Sequence, residues 1–454
     1  GAAVIRMLEQ YLGESVFRNG LRYYLNKFRY GNTITDDLWN SLAKVSRKPV
    51  KKIMDSWTKQ TGYPIISVKD RGDKILFEQE RFLLLKKPSK TLWYIPISIK
   101  QGNKEKYYEM RNKRLLIRVK KPLIINSSQT GFYRVDYGTK LFDNILDLLK
   151  KNKLNNLEKL SLENNLYAVA RANYTSIINF LELVKLYKNE NYYVLWDDLT
   201  SNVGRLLFLF HDKKYTKEIK EFIRILYSKI YKKLGWNEKK NEKHLNKLLR
   251  PTVLAILGLS DHKEVLNESK KRFNTYLKTK KLNPNLRGLV YSIAAYQGDK
   301  KTFNELLNLY IKEESAEEKI RFLAALGTFK QKELLKKALK FCLSNEVRLQ
   351  DKLIVISSVA GNPNGKDLAW EFFKKNFNKL KAMYGETAHT MSNLIKIVTL
   401  RFYNLKKQKE VRKFFEKHPV PNAKMAISQV LEAIEINYKF IKNNEKVLGG
   451  YFRR

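Results

Sequence analysis

Hydrophobic positions follow a helical period over residues 1–60. Apolar side chains recur every three or four residues in the segment 2–12, and Gly13 is a natural helix stop. Three further amphipathic stretches follow, and the last of them ends before Pro64, which cannot continue a helix. The pattern predicts four helices in this part of the chain.

The period changes to two between residues 61 and 137. Short segments rich in Ile, Val, Phe and Tyr alternate with turn sequences such as Asp-Arg-Gly-Asp at 70–73. Several such strands in a short stretch predict a small antiparallel β-sandwich. A domain of this size is too small to house a catalytic centre unaided.

From residue 138 to residue 454 the pattern is helical again. Amphipathic segments of about 10–20 residues are joined by short polar turns, and pairs of them recur at a loose period of about 35–40 residues. Such pairs are typical of an α-solenoid of the HEAT or armadillo type, in which stacking creates a concave surface. The predicted fold class is therefore mainly α, with the β-sandwich between two helical parts.

Composition excludes several classes of protein. Apolar residues make up 43% and charged residues 30%, which is typical of a globular protein. Cys342 has no partner for a disulfide, which favours a reducing compartment, and we expect a cytoplasmic protein. No apolar run approaches the length of about 20 residues that spans a bilayer, and no secretory signal is recognisable, so we expect no membrane partner. Because the first residue is Gly1, we expect the chain to be the back part of a longer protein.

The charge balance is extreme, with 89 Lys and Arg against 45 Asp and Glu, a net charge of +44. Lysine clusters between residues 232 and 281 lie beside Tyr227, Tyr231 and Trp236, as a nucleic-acid stacking platform would require. The other interpretation is that the aromatic residues are core and the lysines are solvated helix faces. We favour the second and do not expect nucleic acid as a partner. If the aromatic residues do form a stacking platform, the alternative function is that of a non-enzymatic basic α-solenoid that binds nucleic acid or acidic proteins.

No self-sufficient catalytic or metal site is visible in the chain. No two of the histidines lie three to five residues apart, so there is no HExxH motif; they are His211, His244, His262, His389 and His418. We expect His262 to mark a solvated helix start and Cys342 to be a core thiol. Gly361 and Gly365 lack the spacing of a phosphate-binding loop, and a surface loop is expected there. We therefore assign no catalytic residue and no metal ligand to this chain.

An ordered series of motifs resembles the zinc aminopeptidases of the aminopeptidase N family. The motifs are GAAVIRML (Gly1–Leu8), YGNTITDDLW (Tyr30–Trp39), WTKQTGYP (Trp57–Pro64), QERF (Gln79–Phe82), WYIPI (Trp93–Ile97), Asn126 with QTGFYRVDY (Gln129–Tyr137), VRLQD (Val347–Asp351) and GNPNG (Gly361–Gly365). Asn165 departs from the Asp that is usual in the family, and Asn173 departs from the usual Gly. The resemblance covers essentially the whole chain.

The resemblance implies an enzyme whose zinc and catalytic residues match positions upstream of Gly1. In such enzymes a zinc-activated water attacks the first peptide bond with a Glu as base, a Tyr stabilises the oxyanion, and a second Glu holds the free α-amine. We therefore expect zinc in the parent enzyme and none bound by this chain, which alone should be inactive. The implied partners are peptide substrates and the missing N-terminal catalytic portion, in cis or as a separate chain.

The resemblance also implies a role for each part of the chain. Residues 1–60 would be the C-terminal helices of a thermolysin-like catalytic domain, residues 61–137 a β-sandwich wedge, and residues 138–454 a solenoid that roofs the active-site chamber. We expect positive charge in the chamber to attract the C-terminal carboxylate of a peptide, and Arg348 is the predicted substrate-binding residue. The alternative for Arg348 is a structural ion pair with Asp351, three residues along the chain.

Overall fold

The computed structural model describes residues 1–385 and 388–453 and is mainly helical, with a small β-sheet region. The chain divides into two compact units, Gly1–Tyr187 and Lys188–Arg454. The predicted domain boundaries at residues 60 and 137 both lie inside the first unit, and as domain boundaries they remain predictions. Within the described residues, every helix is too short or too polar to cross a lipid bilayer.

The four predicted N-terminal helices are confirmed, and three more helices follow the strands. The helices of the first unit are α1 (Ala2–Leu12), α2 (Glu14–Lys27), α3 (Thr35–Ser46), α4 (Val50–Thr58), α5 (Gly138–Lys150), α6 (Asn156–Arg171) and α7 (Ile177–Lys185). Gly13 separates α1 from α2 in a backbone conformation with φ of 89°, which favours glycine, and its N–H donates to Glu9 O at 2.8 Å.

The strands form two separate sheets. They are β1 (Pro64–Arg71), β2 (Lys74–Arg81), β3 (Ile95–Gln101), β4 (Lys104–Met110), β5 (Arg114–Arg118), β6 (Ile124–Ile125) and β7 (Arg134–Asp136). One sheet has the order β5-β2-β1-β7 and the other the order β4-β3-β6. The expectation of a purely antiparallel arrangement is wrong for β1 and β7, which pair in parallel from Ile65↔Arg134 to Ser67↔Asp136. No hairpin joins these two strands, because the chain passes through β6 of the other sheet before it reaches β7. The direction of β7 is therefore not fixed by the geometry of a turn.

Gln79 gives the QERF motif (Gln79–Phe82) a structural role. Its buried amide donates to Trp93 O at 2.8 Å and accepts from Trp93 N at 2.8 Å, so the side chain replaces a missing strand neighbour for that residue. Trp93 is itself fully buried. The amide thus pairs backbone groups that would otherwise be buried without partners.

All regular secondary structure in the described residues of the second unit is helical. Its helices are α8 (Tyr193–Leu209), α9 (Thr216–Leu234), α10 (His244–Leu259), α11 (Lys263–Thr279), α12 (Arg287–Gln297), α13 (Lys300–Lys312), α14 (Ala316–Leu326), α15 (Lys332–Cys342), α16 (Lys352–Gly361), α17 (Lys366–Lys375), α18 (Phe377–Tyr384), α19 (Ala388–Thr399), α20 (Leu405–Lys417) and α21 (Lys424–Phe452). Within the described part of the chain, four 3-10 turns join some of the helices, at Leu186–Asn189, Pro284–Leu286, Leu349–Asp351 and Pro421–Ala423.

These helices contact one another in a regular order. One row runs α8, α10, α12, α14, α16, α19 and α21, each packed against the next, and α9, α11, α13, α15, α17 and α20 pack onto that row. Side-chain amides link successive turns: Asn362 Nδ2 donates to Phe329 O at 2.7 Å, 33 residues earlier, and Asn437 Nδ2 donates to Phe402 O at 3.0 Å, 35 residues earlier. The same kind of contact therefore recurs along the row at nearly the same sequence interval.

The last helix returns to the beginning of this unit. Arg205 Nη2 of α8 donates to Asn437 Oδ1 of α21 at 2.9 Å, and Tyr215 OH donates to Glu445 O at 3.1 Å. The two ends of the helical row are thus in contact with each other.

Candidate functional site

Arg348, the predicted substrate-binding residue, forms an ion pair. Its Nε donates to Asp351 Oδ2 at 2.7 Å, and the Asp351 side chain is 4% exposed while that of Arg348 is 47% exposed. The pair closes the 3-10 turn that precedes α16. The structural ion pair that we gave as the alternative role of Arg348 is therefore formed. Part of the guanidinium is still exposed, so a ligand can reach it. Substrate binding by Arg348 stays a prediction.

The segment after Arg348 is anchored by buried polar contacts. Lys352 Nζ donates to Cys342 O at 2.9 Å and to Ser344 O at 2.7 Å, and the Cys342 thiol donates to Lys352 O at 3.2 Å. Burial raises the pKa of the Cys342 thiol to about 12. Cys342 is therefore a protonated core thiol, as predicted, and not a nucleophile.

The aromatic residues of the possible nucleic-acid platform lie in the core. Tyr227, Tyr231 and Trp236 are all buried, so bases cannot stack on them. Arg250, at the end of the first lysine cluster, is 2% exposed and bonded to both carboxylate oxygens of Glu242, at 2.7 and 2.6 Å. These four side chains serve packing, which favours the core interpretation.

The local structure agrees in part with two further predictions from sequence. His262 lies at the start of α11, as predicted, and its Nδ1 accepts from Val265 N at 3.4 Å, so it caps the helix. Its ring is half-buried against Tyr231 and not solvated as expected. Residues 362–365 form the turn between α16, which ends at Gly361, and α17, and this turn is held by Asn362 through its bond to Phe329. Among the described residues, no group of three or more His, Cys, Asp and Glu side chains could hold a metal ion.

A cavity of about 460 Å³ lies within the first unit, and sequence reasoning did not single it out. Its lining includes Arg6 of α1, most of the segment from Asn126 to Tyr137, and the Asn164–Asn165 pair of α6. The segment 126–137 is the motif that closes the strand region. No pattern in the sequence joins it to Arg6, because the two are far apart along the chain.

Glu109 of β4 ties α1 to the strands. It accepts hydrogen bonds from Tyr11, Tyr94 and Arg111. Burial opposes ionisation, but these three hydrogen bonds and the Arg111 charge outweigh it and lower the pKa of Glu109 to about 2. Burial and the bond to Glu109 raise the pKa of Tyr94 to about 12. The ionised carboxylate thus holds two protonated phenols.

Comparison with protein families matches two models in order along the chain. Residues 1–57 match the Peptidase family M1 domain, and residues 122–436 match the ERAP1-like C-terminal domain. The second match covers most of the chain.

Curated relatives align over nearly the whole chain. Aminopeptidase M1 of Arabidopsis thaliana is 30% identical over 98% of this chain and 54% of its own length, and Aminopeptidase M1-B of Oryza sativa subsp. japonica is 30% identical over 98% and 53%. Aminopeptidase 2, mitochondrial, of Saccharomyces cerevisiae is 27% identical over 100% of this chain and 49% of its own length. The chain therefore spans about half the length of the curated relatives it matches.

Proposed function

The chain belongs to the M1 peptidase family, of which it carries the ERAP1-like C-terminal domain, and from this membership we propose that it is the C-terminal part of a zinc metallo-aminopeptidase. The proposed reaction is removal of N-terminal residues from peptides. The observation that carries the proposal is the order of the two family matches, with the M1 domain match in α1–α4 and the C-terminal domain match behind it. The names of the relatives, all aminopeptidases, support the same reaction.

Zinc enters the proposal through the family and not through this chain. Bound in such an enzyme, the metal supplies a Lewis acid at the peptide bond to be cleaved. The described residues offer no ligand set that fits a metal ion. From the family membership we place the zinc ligands and the catalytic residues on a portion of the protein upstream of Gly1, and we propose that this chain alone is inactive.

Residues 138–454 would form a HEAT-like solenoid that roofs the active site. The alternating row of helices supports this proposal, as do the amide contacts of Asn362 and Asn437 at intervals of 33 and 35 residues. We propose that α1–α4 complete a thermolysin-like catalytic domain and that the two sheets form a sandwich that acts as a wedge. Roofing would restrict substrates to peptides, and the excess of basic residues would favour acidic ones.

The coding sequence upstream of Gly1 tests this proposal. We expect it, or a neighbouring gene, to encode HExxH and a downstream carboxylate ligand in the order that the family requires. Absence of both would refute the proposal. A cytoplasmic location is proposed with it, and fractionation of the source cells would test that location separately.

A further inference from the structure

The cavity in the first unit has a rigid wall. Asn126 donates from Nδ2 to Gly131 O at 2.9 Å and accepts at Oδ1 from Gly131 N at 2.8 Å, so its side chain closes the loop 126–131. A Cβ atom at Gly131 would lie 2.1 Å from Cε1 of Tyr133, whose hydroxyl accepts from Ser98 N at 3.3 Å. Asn126, Gly131 and Tyr133 therefore build the wall of the cavity. Arg134 takes no part in these contacts.

Arg134 is positioned in the cavity by a neutral partner. Its Nη1 donates to Asn164 Oδ1 at 2.6 Å, and among the described residues its Nη2 and Nε groups have no partner. Asn165 stands where the aminopeptidase N family usually has Asp, and its amide bonds to the backbone of Val135. Its Oδ1 accepts from Val135 N at 2.8 Å and its Nδ2 donates to Val135 O. No carboxylate at either position neutralises the guanidinium.

Arg6 brings a second positive charge to the same cavity. It is exposed on α1 and forms no ion pair or hydrogen bond with any described residue. The described lining contains Asn, Gln, Ser, Thr and Tyr side chains but no Asp or Glu. Two guanidinium groups thus line the same cavity of about 460 Å³, and no acidic side chain of the lining balances their charge.

We propose that this cavity is an oxyanion site in which Arg134 and Arg6 hold the carboxylate of a short peptide. The planar guanidinium presents paired N–H donors that match the two oxygens of a carboxylate or of a phosphate. The polar neutral lining supplies further hydrogen bonds, and the volume is within the range of small-ligand sites. The choice of a peptide as the source of the carboxylate rests on the proposed function.

Calorimetric titration of the 454-residue chain tests the site with three probes: trialanine, trialanine amide and inorganic phosphate. We expect trialanine to bind and its amide to bind at least about tenfold more weakly, because the amide lacks the negative charge. Displacement of trialanine by phosphate supports the oxyanion site and identifies it as general, while failure of phosphate to displace it supports a peptide-specific site. Equal binding of acid and amide, or binding of neither trialanine nor phosphate, overturns the proposal.

Three variants locate the binding. Arg134→Gln removes the charge, and Asn164→Asp keeps Arg134 but supplies the carboxylate that would neutralise it; each should weaken trialanine binding at least about tenfold. Arg118→Gln is the matched control, because Arg118 is 76% exposed, pairs with Asp73 and lies outside the cavity. Circular dichroism and thermal melting confirm that the variants fold. If both cavity variants bind trialanine as the unmodified chain does, the assignment is wrong.

The readout is binding to this chain and not turnover, so the two proposals can fail separately. A native protein that trims peptides while this chain binds no anion would refute the site and leave the function. A chain that binds trialanine acid within a protein that hydrolyses nothing would refute the function and leave the site.

Discussion

Arg348 donates from Nε to Oδ2 of Asp351 across 2.7 Å, and the acid is almost completely buried while the base is half-exposed. The pair therefore fixes the turn before α16 and still leaves guanidinium surface open. A structural role and a substrate-binding role predict different consequences when Arg348 is changed.

For Arg348→Ala in the enzyme that includes its catalytic portion, we expect a KM for peptides about tenfold higher with little change in kcat. We also expect a loss of stability of about 1 kcal/mol, because Asp351 loses its partner. Steady-state kinetics and chemical denaturation measure the two effects. An unchanged peptide KM would leave the ion pair as the whole role of Arg348.

Asn362→Ala should destabilise the second unit by about 2 kcal/mol, since Phe329 O loses a short hydrogen bond from a side chain that links successive helical turns. Urea denaturation monitored by circular dichroism measures the change. Asn364→Ala is the control on the same turn: it is exposed and donates to Lys330 O at 3.2 Å, so its loss should cost less than about 0.5 kcal/mol. Equal losses for the two variants would contradict a linking role for Asn362.

Stability of the first unit should depend on the charge of Glu109. Because the folded-state pKa of Glu109 is lowered to about 2 from 4.5, its contribution is present above pH 4.5 and is lost as the pH falls toward 2. Glu109→Gln should therefore flatten the acid limb of the stability curve and reduce stability at pH 7 by about 1–3 kcal/mol. Denaturation curves between pH 2 and pH 7 measure this. An acid limb as steep in the variant as in the unmodified chain would assign the dependence to other groups.

The isolated chain should fold, bind no stoichiometric zinc and hydrolyse no aminoacyl substrate, because the proposed metal and catalytic residues lie on another portion. Metal analysis after dialysis against zinc, together with a chromogenic aminoacyl assay, measures both properties. Turnover that chelation abolishes and added zinc restores would show that the chain carries its own active site.

Periodicity predicted the helices and strands because each element buries one face, and the switch from period 3.6 to period two is local information. It could not predict the parallel pairing of β1 with β7 or the return of α21 to Arg205, since both depend on contacts between distant segments. The cavity arginines were missed for the same reason. Arg6 and Arg134 line the same cavity only after folding. The charge of Arg134 is not balanced by a carboxylate there, because its hydrogen-bond partner Asn164 is an amide.

The most direct test of the account is the release of amino acids by the native protein purified from its source. We predict that it removes the first residue of an unblocked peptide, leaves the N-acetylated peptide intact, loses activity on chelation and regains it with zinc. A native protein that releases no N-terminal residue at any zinc concentration, or that cleaves the blocked and unblocked peptides equally, would contradict the proposal that this chain is part of a zinc aminopeptidase.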